Sequence, residues 1–166
     1  MGKTKKEKRN VIFLDVDGVL NDRSTEDRTP CGFIGLEDSM IVNLARIVEV
    51  TGAEIVLTST WKSEWSKLLK DCEPDGAYLS RRLKKHGLCI LDKTEDHVED
   101  RGTGIRKYLD AYPNIENWVV LDDDVFRDYI KCGVMPHLVH TSYYCGGLTT
   151  ELADRAISIL EGGASE

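Results

Sequence analysis

Five short apolar runs, at residues 11–15, 54–58, 88–91, 118–122 and 138–141, lack the in-out alternation of a half-exposed strand. Continuous apolarity implies burial on both faces, and a sheet buried on both faces is a parallel sheet covered by helices. The intervening stretches carry helical spacing. Residues 36–51 place Ile41, Leu44, Ala45 and Val48 on one face and stop at Gly52. Residues 61–70 offer Trp61, Trp65, Leu68 and Leu69, and residues 104–111 offer Ile105, Tyr108 and Leu109 before Pro113. Residues 149–160 open on a Thr149/Thr150 cap and repeat Leu152, Ala156, Ile159 and Leu160. The expectation is a single α/β domain, a three-layer αβα sandwich, over residues 10–162. A basic tail, residues 1–9, is expected to be disordered in front of it. Residues 21–35 read as a polar loop or short hairpin flap over the end of the first strand.

Composition narrows the classes. A chain of 166 residues with 41% hydrophobic and 31% charged residues is ordinary for a globular domain. No apolar run approaches the roughly 20 residues that cross a bilayer, and the basic N-terminus lacks the apolar stretch of a signal peptide. Five scattered cysteines without a CxxC pair favour reduced thiols and a cytoplasmic setting. The first ten residues hold five of the 22 basic residues and one of the 29 acidic ones, so the remainder carries 17 against 28, a net −11. Such a body does not coat nucleic acid broadly.

The polar residues that end the apolar runs carry the chemistry, because open parallel sheets build sites at strand carboxyl ends. The first run ends in Asp15-Val16-Asp17-Gly18. Residues two apart in an extended segment face one side, so Asp15 and Asp17 share a space, and Gly18 lets the backbone turn away. Two converging carboxylates are costly unless a cation or a proton sits between them. The second run ends in Thr58-Ser59-Thr60 and the fourth in Asp122-Asp123-Asp124, with Arg101-Gly102 opening a helix between them.

In these residues the chain resembles the haloacid dehalogenase-like (HAD) superfamily of Mg²⁺-dependent aspartyl-phosphate hydrolases. DVDGV is similar to its first motif, LTS to its second and LDDD to its fourth. RGTGI resembles the third, with Arg101 where a lysine is usual; Lys62 or Lys93 stands as an alternative cation. TSTWK, RGTGIRKYL, VVLDDD and GLTTELADRAISIL resemble the HAD domain of Swiss-army-knife RNA repair proteins. The resemblance implies a Rossmann-like sheet of strand order 5-4-1-2-3, with Asp15 as nucleophile and Asp17 as acid/base. It implies Thr58, Ser59 and Arg101 (or Lys62) on the phosphate. Mg²⁺ is expected on Asp15, the carbonyl of Asp17, and Asp122 and Asp123, with Asp124 and Asp128 as further candidates. About 40 residues separate Asp17 from Thr58, and about 40 more separate Ser59 from Arg101, which is too few for an inserted domain. A capless enzyme is expected, open to a small or macromolecular phosphorylated substrate such as a nucleic-acid end. Two other readings stay open: a receiver-like phospho-acceptor domain and a catalytically silent binding module.

Other features read as structural. Trp61, Trp65 and Trp118 are expected in the core, His137 and His140 at the surface, and the basic run 81–86 on a solvated face. Without a paired histidine, Cys31 and Cys145 are not expected to act as nucleophiles.

Overall fold

The computed structural model describes residues 6–95 and 99–163. Its elements run β1 (Arg9–Leu14), α1 (Asp38–Thr51), β2 (Glu54–Leu57), α2 (Pro74–Lys84), β3 (Ile90–Lys93), α3 (Arg101–Ala111), β4 (Ile115–Asp122), β5 (Leu138–His140) and α4 (Thr150–Leu160), with short 3₁₀ turns between. The strands form one sheet of order β3-β2-β1-β4-β5, and every neighbouring pair is parallel. This is the expected order. A receiver-like domain would instead run 2-1-3-4-5.

The continuous apolar strands are explained by two separate cores. Ile12, Leu14, Ile55, Leu57, Val119 and Leu121 face α1, α2 and α4 through Ile41, Leu44, Leu79, Leu83, Ala153 and Ala156. The alternate residues Val11, Phe13, Val56 and Val120 face α3 through Ile105 and Tyr108. Phe13 meets Tyr108 and Trp118 edge-on at 5.7 and 6.0 Å between ring centres. Successive residues therefore enter opposite layers, and the three-layer sandwich follows from period-two geometry.

Two boundaries differ from expectation. Arg9 belongs to β1, opposite Ile115, and its guanidinium bonds Glu54 at 2.6 Å, so the domain begins one residue earlier. Residues 1–5 of the expected tail lie outside the described residues. The stretch 61–70 is not a helix but a 3₁₀ turn at Thr60–Ser63, an irregular bent segment and a second turn at Leu69–Asp71; the helix comes later, at α2. Its carbonyls are taken by tertiary donors: the Lys93 ammonium bonds the carbonyls of Lys62 and Trp65, each at 2.8 Å, and the Cys72 thiol bonds that of Ser66. A helix would have spent those carbonyls internally. The apolar spacing begins only at residue 104, but α3 begins at Arg101, where Arg101-Gly102 was expected to open a helix, and Asp128 caps it from outside the element. No described helix is long and apolar enough to cross a membrane.

Candidate active site

Parallel register brings the strand ends together. Leu14 lies opposite both Leu57 and Leu121, so Asp15, Thr58 and Asp122 share one edge. Backbone bonds extend the ladder past the strands: the Asp15 N–H donates to the Leu121 carbonyl and the Thr58 N–H to the Leu14 carbonyl, both at 2.9 Å.

At that edge one oxygen each from Asp15, Asp122 and Asp123 lies within 4.8 Å of the others. Arg101 Nη1 stands 3.2 Å from Asp15 Oδ1 and donates to Asp122 Oδ2 at 2.8 Å. Its guanidinium rests over the Phe126 ring at 4.3 Å. Asp122 also accepts from the Tyr129 hydroxyl at 2.6 Å and from the Asp124 N–H at 3.0 Å. One guanidinium thus meets two of the three carboxylates. Burial, then the neighbouring Asp122 charge, pushes Asp15 well above the usual carboxylate range, with Arg101 opposing. Asp123 is pushed up by burial and by Asp122. Two acids so raised in one pocket mark uncompensated negative charge, which a proton or a divalent cation relieves.

The oxygen-only donor set fits Mg²⁺, which prefers carboxylates, carbonyls and water. Within it the roles divide. Asp122 spends both oxygens on protein donors and so anchors Arg101, whereas the charges of Asp15 and Asp123 are the least compensated. Gly18 makes the cluster possible. Its φ is +77°, and a Cβ there would fall 2.2 Å from Asp123 Oδ2. No other residue type turns the chain away while letting Asp123 approach.

Asp17 stands apart from this cluster. Its two oxygens accept from Asn21 Nδ2 and Trp61 Nε1, each at 2.9 Å. Asn21 is fully buried; it also accepts from the Gly18 N–H at 2.8 Å and donates to the Gly35 carbonyl at 2.9 Å. One amide therefore ties the Asp17 carboxylate to the turn after β1 and to the far end of the flap. Trp61 packs in the core as expected, but its indole N–H aims Asp17. The motif reading missed both residues. The signal for Asn21 was its place four residues beyond Asp17; nothing local marked Trp61.

The hydroxyl and cation candidates sort unevenly. Thr58 is fully buried and shares a 3.2 Å bond with Thr94, the residue after β3. Ser59 accepts from the Trp61 N–H and caps the 3₁₀ turn. Arg101 reaches the site, facing Asp15. Lys93, held by the two carbonyls named above, is a brace for the second motif's loop rather than a free cation. Lys62 and Lys93 line a cavity of about 540 Å³ with Thr94, Thr103 and Lys107. Asp124 is turned to its own neighbour, accepting from the Val125 N–H at 2.8 Å. Asp128 accepts from the N–H groups of Gly102 and Thr103 at 3.0 and 2.7 Å and from the Thr103 hydroxyl. It therefore fills the positive end of α3 with the protein's own carboxylate, and it is not part of the acid cluster. His137 stacks on Trp118 at 3.7 Å, and His140 reaches the Asp123 carbonyl at 3.0 Å.

With this geometry in hand, comparison with known families is specific. The model of the HAD domain in Swiss Army Knife RNA repair proteins matches residues 11–153. The chain belongs to this family of HAD-type hydrolase domains. No curated protein matches it.

Proposed function

We propose that the chain is a Mg²⁺-dependent phosphomonoesterase that works through an aspartyl-phosphate on Asp15. The carrying observation is the contrast between two carboxylates two residues apart. Asp15 sits in the charge cluster beside Arg101, whereas Asp17 is held outside it by Trp61 and Asn21. Such separation is what two different chemical roles require. An Asp15 oxygen attacks phosphorus and the P–O bond to the leaving group breaks, while Asp17 gives the leaving oxygen its proton. Water then attacks the aspartyl-phosphate, Asp17 takes a proton from it, and phosphate leaves with the Asp15 carboxylate restored. Arg101 offsets charge beside the nucleophile, and the Thr58 and Ser59 hydroxyls serve as the expected donors to the phosphoryl oxygens. Asp15, Asp123 and Asp122, with the Asp17 carbonyl, would hold Mg²⁺, which supplies charge neutralisation at those oxygens.

Residues Cys31 and Phe33 of the flap line the cavity beside Asp17, and no span between the motifs is long enough for an inserted domain, which supports a substrate as large as a nucleic-acid end. Five free cysteines support a reducing, cytoplasmic setting. The test is borohydride reduction of enzyme mixed with a phosphomonoester and Mg²⁺, followed by peptide mapping. Conversion of Asp15 to homoserine is expected. Turnover without any such product at Asp15 overturns the assignment. Asp17→Asn should slow hydrolysis by about 10²–10⁴-fold. The loss should be smaller for aryl than for alkyl phosphates; an equal loss on both removes Asp17 from the proton transfer.

A further inference from the structure

The segment Thr60–Ser63 borders two cavities that differ in charge. On one side lie Lys62, Lys93 and Lys107, together with Glu95 and Asp100. On the other a cavity of about 360 Å³ opens beside Asp17, lined among others by Cys31, Phe33, Trp61, Glu64 and Asp75. No lysine, arginine or histidine lines this second cavity among the described residues. Phe33 stands at its rim with 69% of its surface exposed, on the turn of the flap.

That turn is built rather than loose. The Thr29 N–H donates to the Phe33 carbonyl at 2.9 Å, and the Phe33 N–H returns a bond to the Thr29 hydroxyl at 3.1 Å. Asp75, itself only 6% exposed, accepts from the Thr29 hydroxyl at 2.8 Å and from the Cys31 N–H at 3.0 Å. A buried carboxylate on α2 therefore fixes the turn that presents an exposed aromatic ring beside the proton donor. A large apolar ring held out to water in fixed geometry favours a ligand that covers it.

We propose that this cavity receives the leaving group, and that Phe33 and Glu64 make it select an uncharged planar ring, as in a nucleoside or aryl alcohol. The inference rests on the reading of Asp17 as the acid, because the leaving oxygen must lie against that carboxylate. Phe33 supplies a face for stacking. Glu64 repels a ring that itself carries negative charge, with no basic side chain among the cavity's lining residues to offset it.

The test compares benzyl phosphate, propyl phosphate and 4-carboxybenzyl phosphate, whose leaving groups are all primary alcohols. Phe33→Ala should lower kcat/KM for benzyl phosphate by on the order of 10-fold and leave propyl phosphate unchanged. Glu64→Gln should raise kcat/KM for 4-carboxybenzyl phosphate several-fold and leave benzyl phosphate alone. Equal effects of Phe33→Ala on the ringed and ringless substrates overturn the inference while the phosphatase reading stands. A second measurement needs no turnover: benzyl alcohol should shift the Trp61 indole N–H resonance saturably in the wild type and not in Phe33→Ala. If no phosphomonoester is hydrolysed, the reading of the reaction falls, and this titration alone decides the cavity. An unresponsive Trp61 signal in the wild type overturns it.

Discussion

Arg101 and Arg82 are each held between two aspartates. Arg101 lies 3.2 and 2.8 Å from Asp15 and Asp122, and Arg82 lies 2.6 and 3.0 Å from Asp27 and Asp38. The contacts are alike and the surroundings are not. The Arg101 partners are 8% and 0% exposed, those of Arg82 45% and 68%. The acids respond in opposite directions. Asp15 is driven up because burial and Asp122 outweigh the guanidinium. Asp27 is drawn down, first by the Tyr78 hydroxyl that donates to it, and Asp38 first by its bond to Arg82 and then by His86. At the surface water screens what the guanidinium leaves uncompensated; in the sheet edge nothing does. The buried cluster is thus poised for chemistry, while the surface cluster ties the flap, through Asp27, and the start of α1, through Asp38, to α2.

The comparison can be broken most forcefully at Arg101. Arg101→Met leaves three crowded carboxylates without their cation and should cost about 3–5 kcal/mol in urea unfolding, with loss of turnover. A cost no larger than that of Arg82→Met would show that burial does not distinguish the two clusters. Asp15→Asn relieves crowding, so stability should hold or rise while turnover drops below about a hundredth of wild type. An unfolded Asp15→Asn protein would mean that the carboxylate is structural. Arg82→Met should cost at most about 1 kcal/mol, and less in high salt, with activity kept.

The smallest effect is its pH dependence. Asp27 and Asp38 have folded pKa values below their unfolded ones, so their contribution is full above the ordinary value of about 4 and fades as pH falls through the lowered values. Urea titrations should therefore show the wild type and Arg82→Met differing at neutral pH and converging under acid. A difference that grows under acid would contradict the assigned sign.

Where sequence reasoning succeeded, the signal was local. Uninterrupted apolar runs specify strands buried on both faces, and acids or hydroxyls directly after them specify what the strand ends present. Asp15, Thr58 and Asp122 were legible for that reason. Where it failed, the deciding bond crossed the chain. Residues 61–70 have helical spacing, but Lys93, about 30 residues on, takes two of their carbonyls. Asp128 has the spacing of a fourth-motif acid, but it caps a helix that begins 27 residues earlier.

The sequence by itself determined the layers, the strand edge and the identity of the acids, because hydrophobic periodicity and strand-end chemistry act within a few residues. Only the tertiary structure decided what surrounds each acid. The motif resemblance gives Asp15 and Asp17 different expected roles, but their sequence contains no difference in environment. They become different when parallel register sets one against Asp122 and Arg101, and when an indole from beyond β2 turns the other aside. Burial and partner geometry are properties of the assembled edge, and no local pattern contains them.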